Sequence, residues 1–220
     1  MAIPAFNEHG LLPDGIYDCA LEEARERFGR FQNTDRRPQL WEKFAEFVRE
    51  AKASRIIETL LVDGSFVTAR PDPNDIDLIL VVPASHSLSA DLPPFRCNVL
   101  DQKRVRRRFQ LDIVVVKNAS ENLEWASDCF LSAGQTAAGP EERHFEDNVM
   151  IETPEQVAQA IEQMGRMQRI LESYRAEVLP ANPRNFALLA EGPLEQLRQL
   201  QTQIEEYFQH LQSTGAAAAG

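Results

Sequence analysis

Residues 55–82 read RIIETLLVDGSFVTARPDPNDIDLILVV, and this stretch decides the fold. Its two ends, residues 55–62 and 76–82, are short aliphatic runs bounded by polar or turn-forming residues, which is the pattern of buried strands. A third run of the same kind, LDIVVV, follows at residues 111–116. The sequence therefore predicts a sheet that contains these three strands.

Segments with helical periodicity surround the predicted strands. In residues 38–53 the apolar positions recur at helical spacing, and they are Leu40, Phe44, Phe47, Val48 and Ala51. The remaining segments are interpreted as helices at 18–28, 98–109 and 120–132, a strap at 1–17, a linker at 83–95, and a loop with one further strand near Val149 at 133–150. The predicted fold class is α/β (α+β), with helices flanking the sheet.

The composition changes at Thr153-Pro154-Glu155-Gln156, which has the form of a capping box with proline at the first helical position. Two apolar stripes follow, separated by a break at residues 180–183, and they predict a C-terminal helical hairpin. The chain is accordingly divided into residues 1–150, the hairpin at 151–212 and a disordered tail at 213–220. Met164, Met167 and the leucine stripe are read as packing residues.

Two carboxylates stand at the start of the second predicted strand, in the sequence Asp75-Ile76-Asp77. Residues i and i+2 of a strand point to the same face, so the two side chains project together. Adjacent carboxylates repel one another unless a cation lies between them, and oxygen ligands of this kind suit Mg²⁺. The alternative is an exposed strand end with two solvated acids.

A third acid, Asp112, interrupts the otherwise apolar run at 111–116. A lone carboxylate in a buried strand is costly without a partner. A neighbouring strand that carries Asp75 and Asp77 with bound metal would supply one. The alternative is an ion pair at the rim of the sheet, with the candidates Arg107, Arg108 and Lys117.

Gly64-Ser65 follows the first predicted strand and is expected to open a short helix. Glycine allows the backbone to approach a phosphate, the serine offers a hydroxyl, and a helix N-terminus offers free N–H groups. Alone, this dipeptide is a weak signal. It gains meaning from Asp75 and Asp77, which follow it.

Taken together, these elements resemble the polymerase-β nucleotidyltransferase superfamily, whose motifs are a hydrophobic residue before Gly-Ser, then Asp-x-Asp, then a strand with one Asp. The resemblance covers about residues 56–117, and it implies a small mixed sheet with flanking helices. The fuller strings DGSFVT (63–68) and PNDIDL (73–78), with the strap NEHGLLPDGI (7–16), resemble small bacterial predicted nucleotidyltransferases of poorly known function. Small enzymes of this type often resemble toxin–antitoxin or phage-defence components.

The resemblance implies an enzyme that uses two Mg²⁺ ions and moves NMP from an NTP to a hydroxyl, releasing pyrophosphate. The implied metal ligands and catalytic residues are Asp75, Asp77 and Asp112, and the last of these would also accept the hydroxyl proton. The implied nucleotide-binding residues are Gly64, Ser65, Arg70 and Lys117. For the last two, ordinary surface charge is an equally good reading.

The acidic balance limits the choice of acceptor. Acidic residues number 34 against 23 basic ones, a net charge of −11, which argues against a broad nucleic-acid surface. A local basic patch lies at residues 103–108, and it would guide the acceptor, contact the triphosphate or form a solvated face. We therefore expect a protein or small-molecule acceptor in preference to RNA, and either a homodimer or a partner protein bound through residues 151–212.

The expected location follows from two absent features, a membrane-spanning segment and paired cysteines. No apolar run reaches the roughly 18 residues of a membrane span, and the three scattered cysteines form no CxxC pair, so a reduced, cytoplasmic protein is expected. One rival is a non-catalytic nucleotidyltransferase fold that binds partners, as an antitoxin would, through the hairpin. Another is a metal-dependent nuclease, which the Gly-Ser step disfavours.

Overall fold

Three strands form the sheet in the computed structural model, which describes residues 3–13, 15–30, 34–118, 151 and 153–217, with side chains described as far as 213. Their order is β1 (Thr59–Asp63), β2 (Ile76–Val82) and β3 (Leu111–Lys117). β1 is antiparallel to the central strand β2, and β3 is parallel to it. Nearly every residue of β2 is buried, so both faces of the sheet are covered.

The described ranges contain six α-helices. In chain order they are α1 (Leu21–Phe28), α2 (Arg36–Ser54), α3 (Pro94–Leu100), α4 (Gln102–Phe109), α5 (Pro154–Glu177) and α6 (Pro183–Ala217). The predicted α+β class, with a small mixed sheet, flanking helices and a C-terminal helical hairpin, is thereby confirmed. The apolar stripe predicted on α2 is buried in the core at all five positions.

Two predicted elements near the sheet have different boundaries. Strand β1 begins at Thr59 and not at Arg55, because Arg55 adopts a left-handed conformation with φ of 53° and ends α2. The basic helix predicted at 98–109 is two helices, since Asp101 is extended between them. The Asp101 side chain accepts a hydrogen bond from the Arg104 N–H at 3.0 Å and caps α4.

The hairpin has the predicted break but a longer second helix. Thr153 and Gln156 form the capping box of α5, as predicted. Helix α6 begins at Pro183, where the Asn182 side chain accepts a hydrogen bond from the N–H of Asn185 at 3.0 Å. This helix continues to residue 217, so helix replaces the predicted disordered tail over residues 213–217.

The hairpin covers the open edge of β3. The Tyr174 hydroxyl on α5 donates a hydrogen bond to the Val115 carbonyl oxygen. A Cβ atom added to Gly192 on α6 would lie 2.3 Å from the Ile113 carbonyl oxygen, so only glycine allows this approach. Covering an edge in this way prevents it from pairing with other strands. The far half of the hairpin has a separate small cluster around Val157 and Tyr207.

Some sequence predictions lie outside the described residues. They are the helix at 120–132, the loop at 133–150 with its strand near Val149, and the last part of the tail at 218–220. Over the ranges that the structure describes, no helix is both long enough and apolar enough to cross a membrane.

Candidate active site

The candidate site is built on one row of carboxylates that crosses the whole sheet. The antiparallel register pairs Asp63 of β1 with Asp77 of β2, and the parallel register pairs Asp77 with Asp112 of β3. Directly paired residues point to the same face of a sheet, with Cβ atoms about 4.5–5.5 Å apart. Asp75 immediately precedes β2 on the same side of the strand. The structure therefore brings the predicted Asp75, Asp77 and Asp112 together.

Asp63 is a member of this row that the motif analysis left unassigned. Its side chain is buried, with 6% exposed, and its carboxylate accepts a hydrogen bond from the Gly64 N–H. The sequence did contain a signal, because Asp63 ends an aliphatic run in the same way that Asp112 interrupts one. We name Asp63, Asp77 and Asp112 the carboxylate row.

Gly64 is required by the position of Asp77. It has φ of +75°, a conformation that other residues rarely adopt. A Cβ atom at this position would lie 1.9 Å from Oδ2 of Asp77. The predicted glycine therefore contacts the predicted catalytic carboxylate directly.

The segment after Gly64 forms one turn of 3₁₀-helix, Gly64–Val67, where a short helix was expected. Thr68 ends it, because its hydroxyl donates to the Ser65 carbonyl oxygen at 2.8 Å. Ser65 itself is half-buried, and its hydroxyl makes no hydrogen bond to the residues described. The turn thus leaves the serine hydroxyl available beside Gly64, without the row of N–H groups that a longer helix would present.

A buried arginine holds the chain that follows this turn. Arg37 is 0% exposed, and its guanidinium donates to the carbonyl oxygens of Phe66 and Thr68 at 2.8 Å each, and of Arg70 at 3.1 Å. It also donates to the Phe28 carbonyl oxygen at 3.0 Å. Burial lowers the pKa of Arg37 to about 10, so the side chain stays charged at neutral pH.

The neighbouring Arg36 holds the other end of the same loop. Its guanidinium donates to the Pro73 carbonyl oxygen at 3.0 Å and to that of Asn74. The first turn of α2 therefore fixes the chain from Phe66 to Asn74, which leads directly into Asp75. Sequence reasoning missed both arginines, because arginine is usually exposed and the contacts that hold this loop are with backbone atoms, which carry no sequence signal.

Asp112 is held by two side chains of α4. Gln102 Nε2 donates to Asp112 Oδ1 at 2.6 Å, and the Arg106 Nη1 atom lies 3.1 Å from Asp112 Oδ2. The ion-pair partner is thus Arg106, and not Arg107, Arg108 or Lys117. The orientation of α4 explains this choice of partner, since only one face of the helix lies against β3.

The negative charges in this site oppose one another. Burial, followed by the charges of Asp75, Asp112 and Asp63, raises the pKa of Asp77 well above its usual range. Burial and the charge of Asp75 raise the pKa of Asp112 to about 6, although Arg106 lowers it. Burial raises the pKa of Asp63 to about 8. The charge of Arg106 lowers the pKa values of Asp77 and Asp112 without offsetting these effects, and a bound cation would lower them further.

The donor set suits Mg²⁺ only together with a substrate. Among the described residues, no three acidic, histidine or cysteine side chains are arranged to hold a metal ion by themselves. Both oxygens of Asp112 face Gln102 and Arg106. Nucleotide sites commonly hold Mg²⁺ by one or two carboxylates, with phosphate oxygens and water completing the shell. Asp75 and Asp77 fit that requirement.

The two predicted phosphate contacts, Arg70 and Lys117, lie in different parts of the structure. Arg70 lies on the loop between Gly64 and Asp75, with its carbonyl bound by Arg37. Lys117 pairs in register with Val82, at the opposite end of β3 from Asp112, which is about 17 Å along the strand. There its ammonium forms an ion pair with Glu177 at 2.6 Å. The structure does not bring Lys117 to the carboxylate row.

The basic patch at 103–108 is largely neutralised within the protein. Lys103 pairs with Glu191 of α6 at 2.6 Å, and Arg108 pairs with Glu46 and Glu50 of α2 at 2.6 Å each. With Arg106 bound to Asp112, most of this patch joins α4 to its neighbours.

Comparison with known proteins identifies the family of this chain, but the function of that family is unknown. The chain belongs to a family of unknown function (DUF6932), whose model matches residues 4–139. That range contains the three strands and the carboxylate row and ends before α5. No curated protein matches the chain, and no solved structure matches it.

Proposed function

We propose that this member of the DUF6932 family is a nucleotidyltransferase, which moves NMP from an NTP to a hydroxyl acceptor with the help of Mg²⁺. The observation that carries the proposal is the carboxylate row, which crosses three strands in register, with Asp75 beside it and Gly64 packed against Asp77. The resemblance of residues 56–117 to the polymerase-β superfamily supports the same reading.

The electrostatics of the site support a cationic ligand. A cluster of partly buried carboxylates with raised pKa values destabilises the folded chain unless positive charge is added. Asp75 and Asp77 are the residues that would hold Mg²⁺, in company with triphosphate oxygens. When bound, Mg²⁺ neutralises the triphosphate and the pyrophosphate that leaves.

The protein groups have separate tasks in this reaction. Gly64 leaves room for the Asp77 carboxylate, and the Ser65 hydroxyl next to it can donate to a phosphate. The acceptor oxygen attacks the α-phosphorus, the bond from that phosphorus to the bridging oxygen breaks, and pyrophosphate departs. Asp112, which lies in register beside Asp77, is the carboxylate that takes the hydroxyl proton.

The charge distribution favours a protein or small-molecule acceptor over RNA. The net charge is −11, and several cations of the patch at 103–108 already form internal ion pairs. An extended RNA would need unpaired lysines and arginines along its path. A cytoplasmic location and a role in a toxin–antitoxin or phage-defence system are parts of the proposal that rest on the sequence alone.

Labelled nucleotides test the activity directly. Each α-labelled NTP is incubated with the protein, Mg²⁺ and a cell extract, and the labelled product is identified by gel and by mass. Label transfer is expected from wild type and from Glu177→Gln, which alters the opposite end of β3. It is expected to fall by at least about a thousandfold in Asp75→Asn/Asp77→Asn. Cleavage of nucleic acid without any NTP would favour a nuclease instead.

A second candidate, a partner-binding module, is favoured by apolar residues on the hairpin. The large apolar side chains that α5 and α6 expose are Ile161, Leu194, Phe208 and Leu211. Exposed apolar surface of this kind is common at protein interfaces. Partner or self-association that survives in Asp75→Asn/Asp77→Asn, together with no turnover by wild type, would support this candidate.

A further inference from the structure

Helix α4 contacts Asp112 through two residues one helical turn apart, Gln102 and Arg106. Residues i and i+4 lie on one face of a helix, so both side chains meet the same carboxylate. Gln102 is buried, with 4% exposed. Its Nε2 donates to Asp112 Oδ1 at 2.6 Å, and its Oε1 accepts from the Ile113 N–H at 2.7 Å. Both ends of this amide are used, and they fix one oxygen of Asp112.

The other oxygen of Asp112 has a different kind of partner. Arg106 Nη1 lies 3.1 Å from Oδ2, and the Arg106 side chain is 46% exposed, against 7% for Asp112. A half-exposed arginine on the outer side of the site can move into solvent without unpacking the core. Asp112 is therefore held rigidly at Oδ1 and by a movable cation at Oδ2.

The position of this cation has an electrostatic consequence. Arg106 lowers the pKa of Asp112 and also that of Asp77, so its charge acts on the centre of the carboxylate row. Lys103 and Arg108, on the same helix, form ion pairs with glutamates of α6 and α2. Arg106 thus supplies positive charge at the place where a metal bridging to Asp112 would supply it.

We propose that Arg106 is a resident cation that competes with the divalent metal for Oδ2 of Asp112, and that Gln102 keeps Asp112 in place when Arg106 leaves. The inference rests on the proposed function, because it assumes that metal binds at the carboxylate row. In the complete site, the divalent metal therefore replaces the Arg106 guanidinium at Oδ2 of Asp112.

The test is the affinity for Mn²⁺ at one neutral pH in the presence of a non-hydrolysable NTP analogue, measured by calorimetry as the Mn²⁺ concentration at which binding of the analogue is half complete. Arg106→Gln removes the competitor. Arg107→Gln is the matched control, because it removes the same charge from the next position of α4, where the side chain is exposed. Mn²⁺ is expected to bind Arg106→Gln about fivefold more tightly than Arg107→Gln, a factor that corresponds to about 1 kcal/mol.

A further variant and two outcomes complete the test. Arg106→Lys keeps a charge at this position and should stay within about twofold of wild type. Equal affinity in Arg106→Gln and Arg107→Gln, or weaker binding in Arg106→Gln, would overturn the competition while Mn²⁺ binding itself still supports the proposed function. No Mn²⁺ binding by any variant, with or without NTP, would overturn the proposed function and this inference with it.

Discussion

The two ends of strands β2 and β3 differ in how their polar groups are satisfied. At the end that carries the carboxylate row, acids face one another and have raised pKa values. At the opposite end, Lys117 pairs with Glu177, and Tyr174 donates to the Val115 carbonyl oxygen. The second end holds the hairpin against the sheet, and we name it the hairpin end.

This difference is the reason for which we propose the ligand site at the carboxylate row. At the hairpin end, the Lys117 ammonium and the Tyr174 hydroxyl both have partners among the described residues. The carboxylate row retains an excess of negative charge, although α2 and α4 supply Arg36, Arg37 and Arg106 to hold the surrounding chain. Unfavourable charge in an otherwise ordered part of a protein is typical of functional sites.

Replacement of Arg37 should have the largest effect on stability. Arg37→Met leaves four carbonyl oxygens, two of them fully buried, without their donor, so the free energy of unfolding should fall by about 3–5 kcal/mol. Arg49→Met, at an exposed position of the same helix, should change it by less than about 0.5 kcal/mol. Urea unfolding followed by circular dichroism measures both. A loss below about 1 kcal/mol in Arg37→Met would show that the loop does not depend on this arginine.

Substitution of Gly64 should have the next largest effect. Gly64→Ala combines a positive φ with a Cβ atom placed against Asp77 Oδ2, so stability should fall by about 2–3 kcal/mol, and nucleotide binding should be lost. Gly165→Ala is the control, because nothing lies within 4 Å of the added atom in α5. That variant should be about 0.5–1 kcal/mol more stable than wild type. Calorimetry measures the stability of both variants, and nucleotide titration measures their binding. Unchanged stability and binding in Gly64→Ala would contradict the prediction.

Ionisation of Asp63 should have a smaller, pH-dependent effect on the free energy of unfolding. In the folded chain Asp63 keeps its proton up to about pH 8, whereas in the unfolded chain it ionises near pH 4. The unfolded state therefore binds fewer protons between these values, and the free energy of unfolding contributed by this group falls as pH rises from about 4 to about 8.

Asp63→Asn cannot ionise, so it removes the fall in the free energy of unfolding between about pH 4 and about pH 8. The asparagine oxygen can still accept the hydrogen bond from the Gly64 N–H. Measured without metal at about pH 8, the variant should melt at least about 3 °C above wild type, which corresponds to about 1 kcal/mol for a chain of this size. The difference should shrink at about pH 5. An equal difference at the two pH values would mean that Asp63 is not a buried acid with a raised pKa.

Much of the fold could be predicted from sequence, because short aliphatic runs and helical periodicity are local signals. The strands around Leu78 and Val114 and the stripe that includes Leu40 are of this kind. The boundary at Arg55 and the division of the basic helix at Asp101 depend on one residue's backbone conformation or one capping bond. Such features depend on packing around each residue more than on pattern.

The candidate site was predictable to the extent that its residues follow a motif. Asp75, Asp77 and Gly64 follow one, and the structure brings them together. Arg37 and Gln102 were missed, since they act from helices distant in sequence and bind backbone atoms or a side chain through tertiary packing. Pattern reasoning identifies the chemical groups, whereas the groups that orient them require coordinates.

The most direct test of the central claim is the binding of non-hydrolysable NTP analogues, measured by calorimetry with and without Mg²⁺. Wild type and Glu177→Gln, which changes only the hairpin end, are expected to bind at least one analogue in the presence of Mg²⁺ and to lose that binding when Mg²⁺ is removed. Asp75→Asn/Asp77→Asn, folded as judged by circular dichroism, is expected not to bind. Equal Mg²⁺-dependent binding by the double variant and wild type, or no binding by wild type for any base, would contradict the assignment of the carboxylate row as the nucleotide site.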